Sequence, residues 1–249
     1  MDVQLCTQPG FSQASNSKTH APPALSHALG RLRKMWAKNN PAKFWTPGST
    51  LRIAFLNGTQ AFKDETIAAA SNWLPHINLK FDFVEGEEGD IRILSQPGTF
   101  SSLIGTDALL HPDEPTMRLW PHPPSQARYF AANVMHEFGH MLGAEHEQTN
   151  PTANIPWDKP AIYKQHGITA DPEEDNYQAS VTRKRLHDWY FDVGNPDESI
   201  YSDYDQKSIM HYPVSQSWTL GDFQIFINLG LSEQDKTFMS NAYPYPASQ

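Results

Sequence analysis

From Leu51 onward the chain alternates between two rhythms of hydrophobic and polar positions. Residues 51–56 form a short apolar run bounded by polar ones, which predicts a strand. Ile77, Leu79, Phe81 and Phe83 alternate with Asn78, Lys80 and Asp82, the period of two expected of a half-buried strand. Residues 90–94 predict another strand, and 105–110 and 116–120 two shorter ones separated by His111-Pro112-Asp113. Residues 64–73 predict a helix between the first two strands. After Pro123-Pro124, Ser125 can cap a longer helix whose apolar stripe is Ala131, Val134, Met135, Phe138 and Met141. Beyond Gln148 the pattern predicts helices over 158–166, 171–186 and 232–243 and little sheet. The second opens Asp-Pro-Glu-Glu, with proline at the favoured first position and Glu173, Glu174 and Asp175 serving the helix dipole. The third opens Ser-Glu-Gln-Asp and stops before Pro244. Strands concentrated early and helices late predict an α+β fold.

Leu25, Leu29, Leu32 and Trp36 recur at helical spacing among Arg31, Arg33, Lys34 and Lys38, so a short amphipathic helix is expected before the strands begin. Residues 1–40 read as an N-terminal tail or pro-like segment, and 41–249 as one catalytic domain, its upper part about 41–143 and its lower part about 144–249. At 249 residues and 39% hydrophobic content the chain can bury one core or two lobes around a cleft. A net charge of −9 without basic stripes excludes a nucleic-acid partner and an anionic membrane surface. No apolar run approaches the ~20 residues that span a bilayer, and no signal peptide is visible. Cys6 stands alone, so no intrachain disulfide can form; as a thiolate on a mobile tail it is also a candidate inhibitory metal ligand.

The chemistry is concentrated in one run, His136-Glu137-Phe138-Gly139-His140-Met141-Leu142-Gly143-Ala144-Glu145-His146. Residues four apart share one helix face, about 6 Å apart along the axis, so His136 and His140 can grip one metal ion. His146 would lie about 15 Å from His136 on an unbroken helix, beyond reach of the same ion. The helix must therefore end, and Gly143 can adopt the left-handed conformation that turns the chain back. An HExxH string arises by chance in roughly 2% of shuffled versions of this composition, the longer pattern in fewer than about one in 10,000. Three histidines and an acid gathered with no cation would be costly, so one catalytic zinc ion is expected.

HExxHxxGxxH resembles the zinc signature of the metzincin metallopeptidases. The later run Ser208-Ile209-Met210-His211-Tyr212-Pro213 resembles the methionine turn that these enzymes place beneath the metal. Glu147 directly after the third histidine, and Tyr212 two residues past Met210, resemble the astacin version. Matrixins and adamalysins usually have neither residue. The calcium-binding repeats of serralysins are missing. The resemblance is strongest over 128–148 and 202–213, and Phe44-Trp45-Thr46-Pro47-Gly48 is similar to the lead-in to the family's first strand. Astacins typically carry two disulfides, and this chain departs from them there.

The resemblance implies a metzincin-type zincin: an upper twisted mixed sheet with helices, an active-site helix, and a lower, mostly helical or irregular part across a cleft. It implies zinc ligands His136, His140 and His146, with Tyr212 as a displaceable extra ligand that stabilises the oxyanion. Glu137 would be the catalytic base, Met210 the turn methionine and Gly143 the hinge. Glu147 would anchor a buried amine or arginine after proteolytic maturation. The implied activity is zinc-dependent endopeptidase action on a protein or peptide held as an extended strand along a sheet edge near 105–120, by a secreted, monomeric enzyme. A non-catalytic zinc-stabilised binding module, or a serralysin- or matrixin-like metzincin, is the alternative. Of the other histidines, His211 is expected to be structural, and His111, His122, His166 and His187 solvated.

Overall fold

The computed structural model describes residues 37–38, 43–86 and 88–246. Cys6 and the amphipathic stretch at 25–36 lie outside the described residues. The first described pair, β1 (Ala37–Lys38), runs antiparallel to β7 (Ser199–Ile200).

The main sheet contains β2 (Thr50–Phe55), β3 (Lys80–Glu85), β4 (Ile91–Ser95), β5 (Ser101–Ser102) and β6 (Met117–Leu119), ordered β3-β2-β4-β6-β5. All neighbours are parallel except β5, which is antiparallel to β6. Ile53 lies opposite both Phe83 and Ile91, so β2 is paired along both edges there, and Ile53 is fully buried. The sheet is thus mixed, and the fold is α+β.

Helix α1 (Gln60–Ala70) begins four residues before the expected 64, because Thr59 accepts from Phe62 N at 3.3 Å and caps it there. It gives way to a 3-10 segment, Ser71–His76, that contains Pro75, a residue unable to continue an α-helix. The long helix α2 (Ala127–Met141) packs against α1. Ser125 does not cap α2: the chain enters through a 3-10 turn, Pro124–Gln126, with no side-chain cap. Two other expectations fail locally. Residues 105–110 form a 3-10 helix rather than a strand, and the strand predicted from Ile77 begins only at Lys80, although Ile77 and Leu79 are buried as the alternation requires. The edge strand therefore comes from Ser101–Ser102, while the segment near 117 lies one place further in.

Arg92 is a charged side chain on a buried strand, and it explains the irregular stretch. Its guanidinium donates to the carbonyls of Gly89, Ala108, His111 and Glu114. Four loop carbonyls thereby find a donor away from water, and the loops are pinned to β4.

Beyond α2 the chain makes α3 (Lys159–Gln165), capped by Asp158, and α4 (Tyr177–Leu186), capped by Asn176. The predicted single helix over 171–186 is broken: Pro172–Glu174 is an isolated 3-10 turn capped by Asp171, and Asp175 turns to Arg183 at 2.6 Å. Asp175 thus serves an ion pair instead of a helix dipole. A turn of π-helix, His187–Phe191, extends α4. Helix α5 (Glu233–Ala242) opens with the capping box of Ser232 and Asp235.

Two main hydrophobic cores result, with a small third cluster of Ile155, Val214 and Ile225. The larger joins the sheet to α1 and α2 through residues such as Ile53, Trp73, Ile93, Phe130 and Phe138; Phe238, Met239 and Tyr243 from the end of the chain also belong to it. The smaller gathers Ile162, Tyr163, Ile168, Leu186, Tyr190 and Tyr212. Among the described residues, no helix is long and apolar enough to cross a membrane.

Candidate active site

Helix α2 carries His136, Glu137 and His140, and all three are buried. Its C-terminus is built with care. Gly143 has φ of +99°, Gly143 N donates to His140 O at 2.8 Å, and Ala144 N donates to Gly139 O at 3.0 Å. That pair of bonds is a Schellman ending, with Gly143 at the left-handed position the sequence assigned to it. A Cβ at Gly143 would also press on the ring of Phe44, 2.9 Å away. The last carbonyls of the helix find buried aromatic donors: Trp45 Nε1 to Met141 O and Tyr243 Oη to Leu142 O, both at 2.8 Å. Nothing local in the sequence marks these two partners, which lie about a hundred residues away on either side.

After this turn His146 folds back beneath the helix. Its ring centroid lies 4.5 Å from that of His140 and 5.2 Å from that of His136. One nitrogen from each of the three imidazoles falls within 4.8 Å of the others.

The hydrogen bonds settle which nitrogens face inward. His136 Nδ1 lies 2.8 Å from Ile209 O, and His140 Nδ1 2.8 Å from Ala144 O. A carbonyl only accepts, so each Nδ1 carries the hydrogen and each Nε2 a lone pair. His140 Nε2 is 3.0 Å from His146 Nε2, while His136 Nε2 is buried and has no hydrogen-bond partner among the described residues. A bond between the first two would still strand the third. One cation would answer all three, since the imidazoles offer their nitrogens to one shared space and zinc accepts neutral imidazole ligands. Burial keeps the rings neutral, as ligands must be. It pushes His136 down to about 4 and His140, also repelled by His136, to about 3; His146 is held well below its usual range by burial and then by its histidine neighbours.

The methionine turn sits against this cluster. Met210 is fully buried beside Gly139, where any Cβ would run into its Sδ. Asp235, at the start of α5, accepts from Ser208 Oγ at 2.6 Å and from Ile209 N at 2.8 Å. Ile209 O in turn orients His136. The capping box of a helix late in the chain thus fixes the peptide that orients the His136 ring. Tyr212 places its ring 4.2 Å from that of His146 and 5.7 Å from that of His136.

Glu147 is buried behind the third histidine. Its backbone N donates to Met210 O at 3.1 Å, and its Oε1 accepts from Asn150 Nδ2 and Asp205 N, each at 2.9 Å. Oε2 has no hydrogen-bond partner among the described residues, and burial pushes the carboxyl well above its ordinary range. His211 is structural as expected: Nδ1 donates to Tyr212 O at 2.6 Å, and Nε2 accepts from Tyr204 Oη at 2.7 Å. His122 departs from the solvated reading, while His187 stays more than a third exposed. His122 stacks among Phe100, Trp120 and Phe130, and His187 Nε2 meets Tyr163 Oη at 2.8 Å.

A mixed sheet, a helix bearing HExxH, a glycine hinge that returns a third histidine, and a buried methionine turn define a zincin of the metzincin type. No protein-family model matches the chain, and no curated protein sequence matches it. Solved structures do. A structure of myroilysin superposes with a TM-score of 0.74 at 31% identity, covering 85% of this chain and 99% of that one. A crystal structure of myroilysin gives 0.61 at 32% identity, covering 82% and 87%. High choriolytic enzyme 1, a hatching-enzyme zinc protease of the medaka fish Oryzias latipes, gives 0.50 at 18% identity, covering 81% and 94%, a likeness of fold alone. The chain belongs to the astacin-like metzincin zinc metallopeptidases. It is a hydrolase, a zinc metalloendopeptidase by class.

Proposed function

We propose that the chain cleaves internal peptide bonds of proteins with His136, His140 and His146 holding one zinc ion, Glu137 as general base and Tyr212 as a displaceable ligand. The convergence of three buried imidazoles, with His136 Nε2 left without a hydrogen bond, carries this reading. Bound there, zinc supplies a Lewis acid and brings a coordinated water toward a pKa of about 7. Glu137, beside the first ligand on α2, takes a proton from the attacking water and hands it to the departing amine. Tyr212 hydrogen-bonds the oxyanion as the carbonyl becomes tetrahedral. The substrate lies extended along β5, the antiparallel edge of the sheet and a neighbour of α2, where backbone pairing tolerates many sequences. Glu147 anchors an ammonium or guanidinium group, which would answer its unpartnered Oε2. Secretion and a monomeric state follow from the family resemblance.

Replacing Glu137 with alanine tests the central assignment. The variant retains one zinc per chain by atomic absorption, while casein cleavage falls by at least about 10²-fold. Removing the metal from the wild type with a chelator abolishes cleavage, and adding zinc restores it. Hydrolysis retained by the Glu137 variant would exclude that residue as the base.

A further inference from the structure

Gln148 lies two residues past His146, and its side chain is wholly buried. Its amide bonds in two directions: Oε1 accepts from Tyr212 N at 3.1 Å, and Nε2 donates to Trp189 O at 2.9 Å. One residue earlier, Glu147 N donates to Met210 O. The segment bearing the third histidine is therefore laced to the segment bearing Tyr212 by two successive bonds, the second supplied by a side chain. Trp189 belongs to the π-helical turn, and its neighbour Tyr190 sets a ring edge-on to Tyr212, with centroids 6.1 Å apart. Single π turns recur at functional sites, where they redirect one side chain. A buried primary amide has no water to fall back on, so both bonds hold it in one orientation.

We infer that Gln148 is a positioning residue for Tyr212: its amide sets the height of the Tyr212 backbone against His146 and docks the Tyr190 turn behind the phenol. The inference rests on the role proposed for Tyr212. A hydroxyl that must meet a developing oxyanion is sensitive to its placement, since a displacement of about 1 Å can cost about 10²-fold in rate. The ground-state substrate makes no such demand on it.

The test uses the zinc-loaded, full-length enzyme with Gln148→Met, which matches the side chain in size and removes both bonds, made alone and together with Tyr212→Phe. Gln148→Glu, which keeps an acceptor for Tyr212 N, is the conservative variant. Steady-state kinetics, inhibition by a phosphinic peptide mimicking the tetrahedral state, and zinc content are measured. Gln148→Met alone lowers kcat about tenfold, weakens the phosphinic peptide by a similar factor and leaves KM within about twofold. Zinc content stays at that of the wild type. In the Tyr212→Phe background the same substitution changes kcat by less than about twofold. Equal losses in both backgrounds overturn the inference while leaving Tyr212 its role. Full activity in Tyr212→Phe alone overturns both. If Gln148→Met does not fold, Gln148→Glu decides: kcat within about threefold of wild type supports the inference, and a tenfold loss overturns it.

Discussion

The two halves of the molecule hold the three clustered histidines by different means. Around the sheet, position is set by close packing: Ile53, Ile93, Trp73, Phe130 and Phe138 fill the space beneath α2, and His136 and His140 ride on that rigid helix. Around the third histidine and the methionine turn much of what is buried is polar, set beside the apolar clusters of Ile162, Tyr190 and Ile155. Glu147, Gln148, Thr149, Asn150, Ser202, Ser208 and His211 all lie inside, joined by bonds from side chain to backbone. Apolar packing is forgiving in direction, since volume matters more than angle. A buried hydrogen bond is not, because a lost partner leaves a desolvated group behind. The upper half thus supplies stiffness, and the lower half sets where His146 and Tyr212 point.

Substitutions in each half should expose that division. Ile53→Ala, in β2, is expected to lower stability most, by about 4 kcal/mol, through lost transfer energy and the cavity left behind. Urea unfolding gives the loss, and turnover per folded, zinc-loaded molecule should match the wild type. A fall in that turnover would mean that sheet packing itself aims the ligands.

Asp235 lies at the seam, and its effect depends on pH. Burial pushes its carboxyl up to about 6, against the bonds from Ile209 N, Ser208 Oγ and Ser232 N, while the unfolded chain titrates near 3.8. Between those values the native state keeps a proton that the unfolded state gives up, so stability falls as pH rises through the window. The loss relative to Asp235→Asn is at most roughly 3 kcal/mol, nearly complete just above pH 6. Parallel stability curves for the two proteins from pH 4 to 7 would refute the shift.

Tyr243→Phe is the smallest of the three. It strands Leu142 O at the end of α2, which costs about 1–2 kcal/mol in a buried place. Thermal unfolding measures it, with zinc affinity as the second readout. A loss of affinity larger than the loss of stability would show that the aromatic clasp at the helix end also shapes the metal site.

Much of this site can be read from spacing because its parts are local. His136, His140 and Gly143 are tied to one another by helix geometry, and the chain needs a left-handed residue where the third histidine turns back. The helix starts expected near 158 and 232 are legible for the same reason, since Asp158 and Ser232 cap them and a cap acts within three residues. Ser125 fails as a cap because a proline-led 3-10 turn takes its place, and residues 105–110 wind into a 3-10 helix in which Arg92 holds the Ala108 carbonyl. The helix over 171–186 breaks where Asp175 answers Arg183 and Asn176 caps the next helix. Asp235 reads in sequence only as part of a capping box; its hold on Ser208 and Ile209 needs the fold.

Taken alone, the sequence determined which three histidines gather, the glycine turn between them and the alternation that builds the sheet, because each depends on neighbours within a few turns of chain. Tertiary structure decided which carbonyls Trp45, Tyr243 and Arg92 would satisfy, and how Gln148 would tie Tyr212 to Trp189. Those choices pair groups up to about a hundred residues apart, and a buried polar atom accepts whichever partner the folded chain brings within about 3 Å.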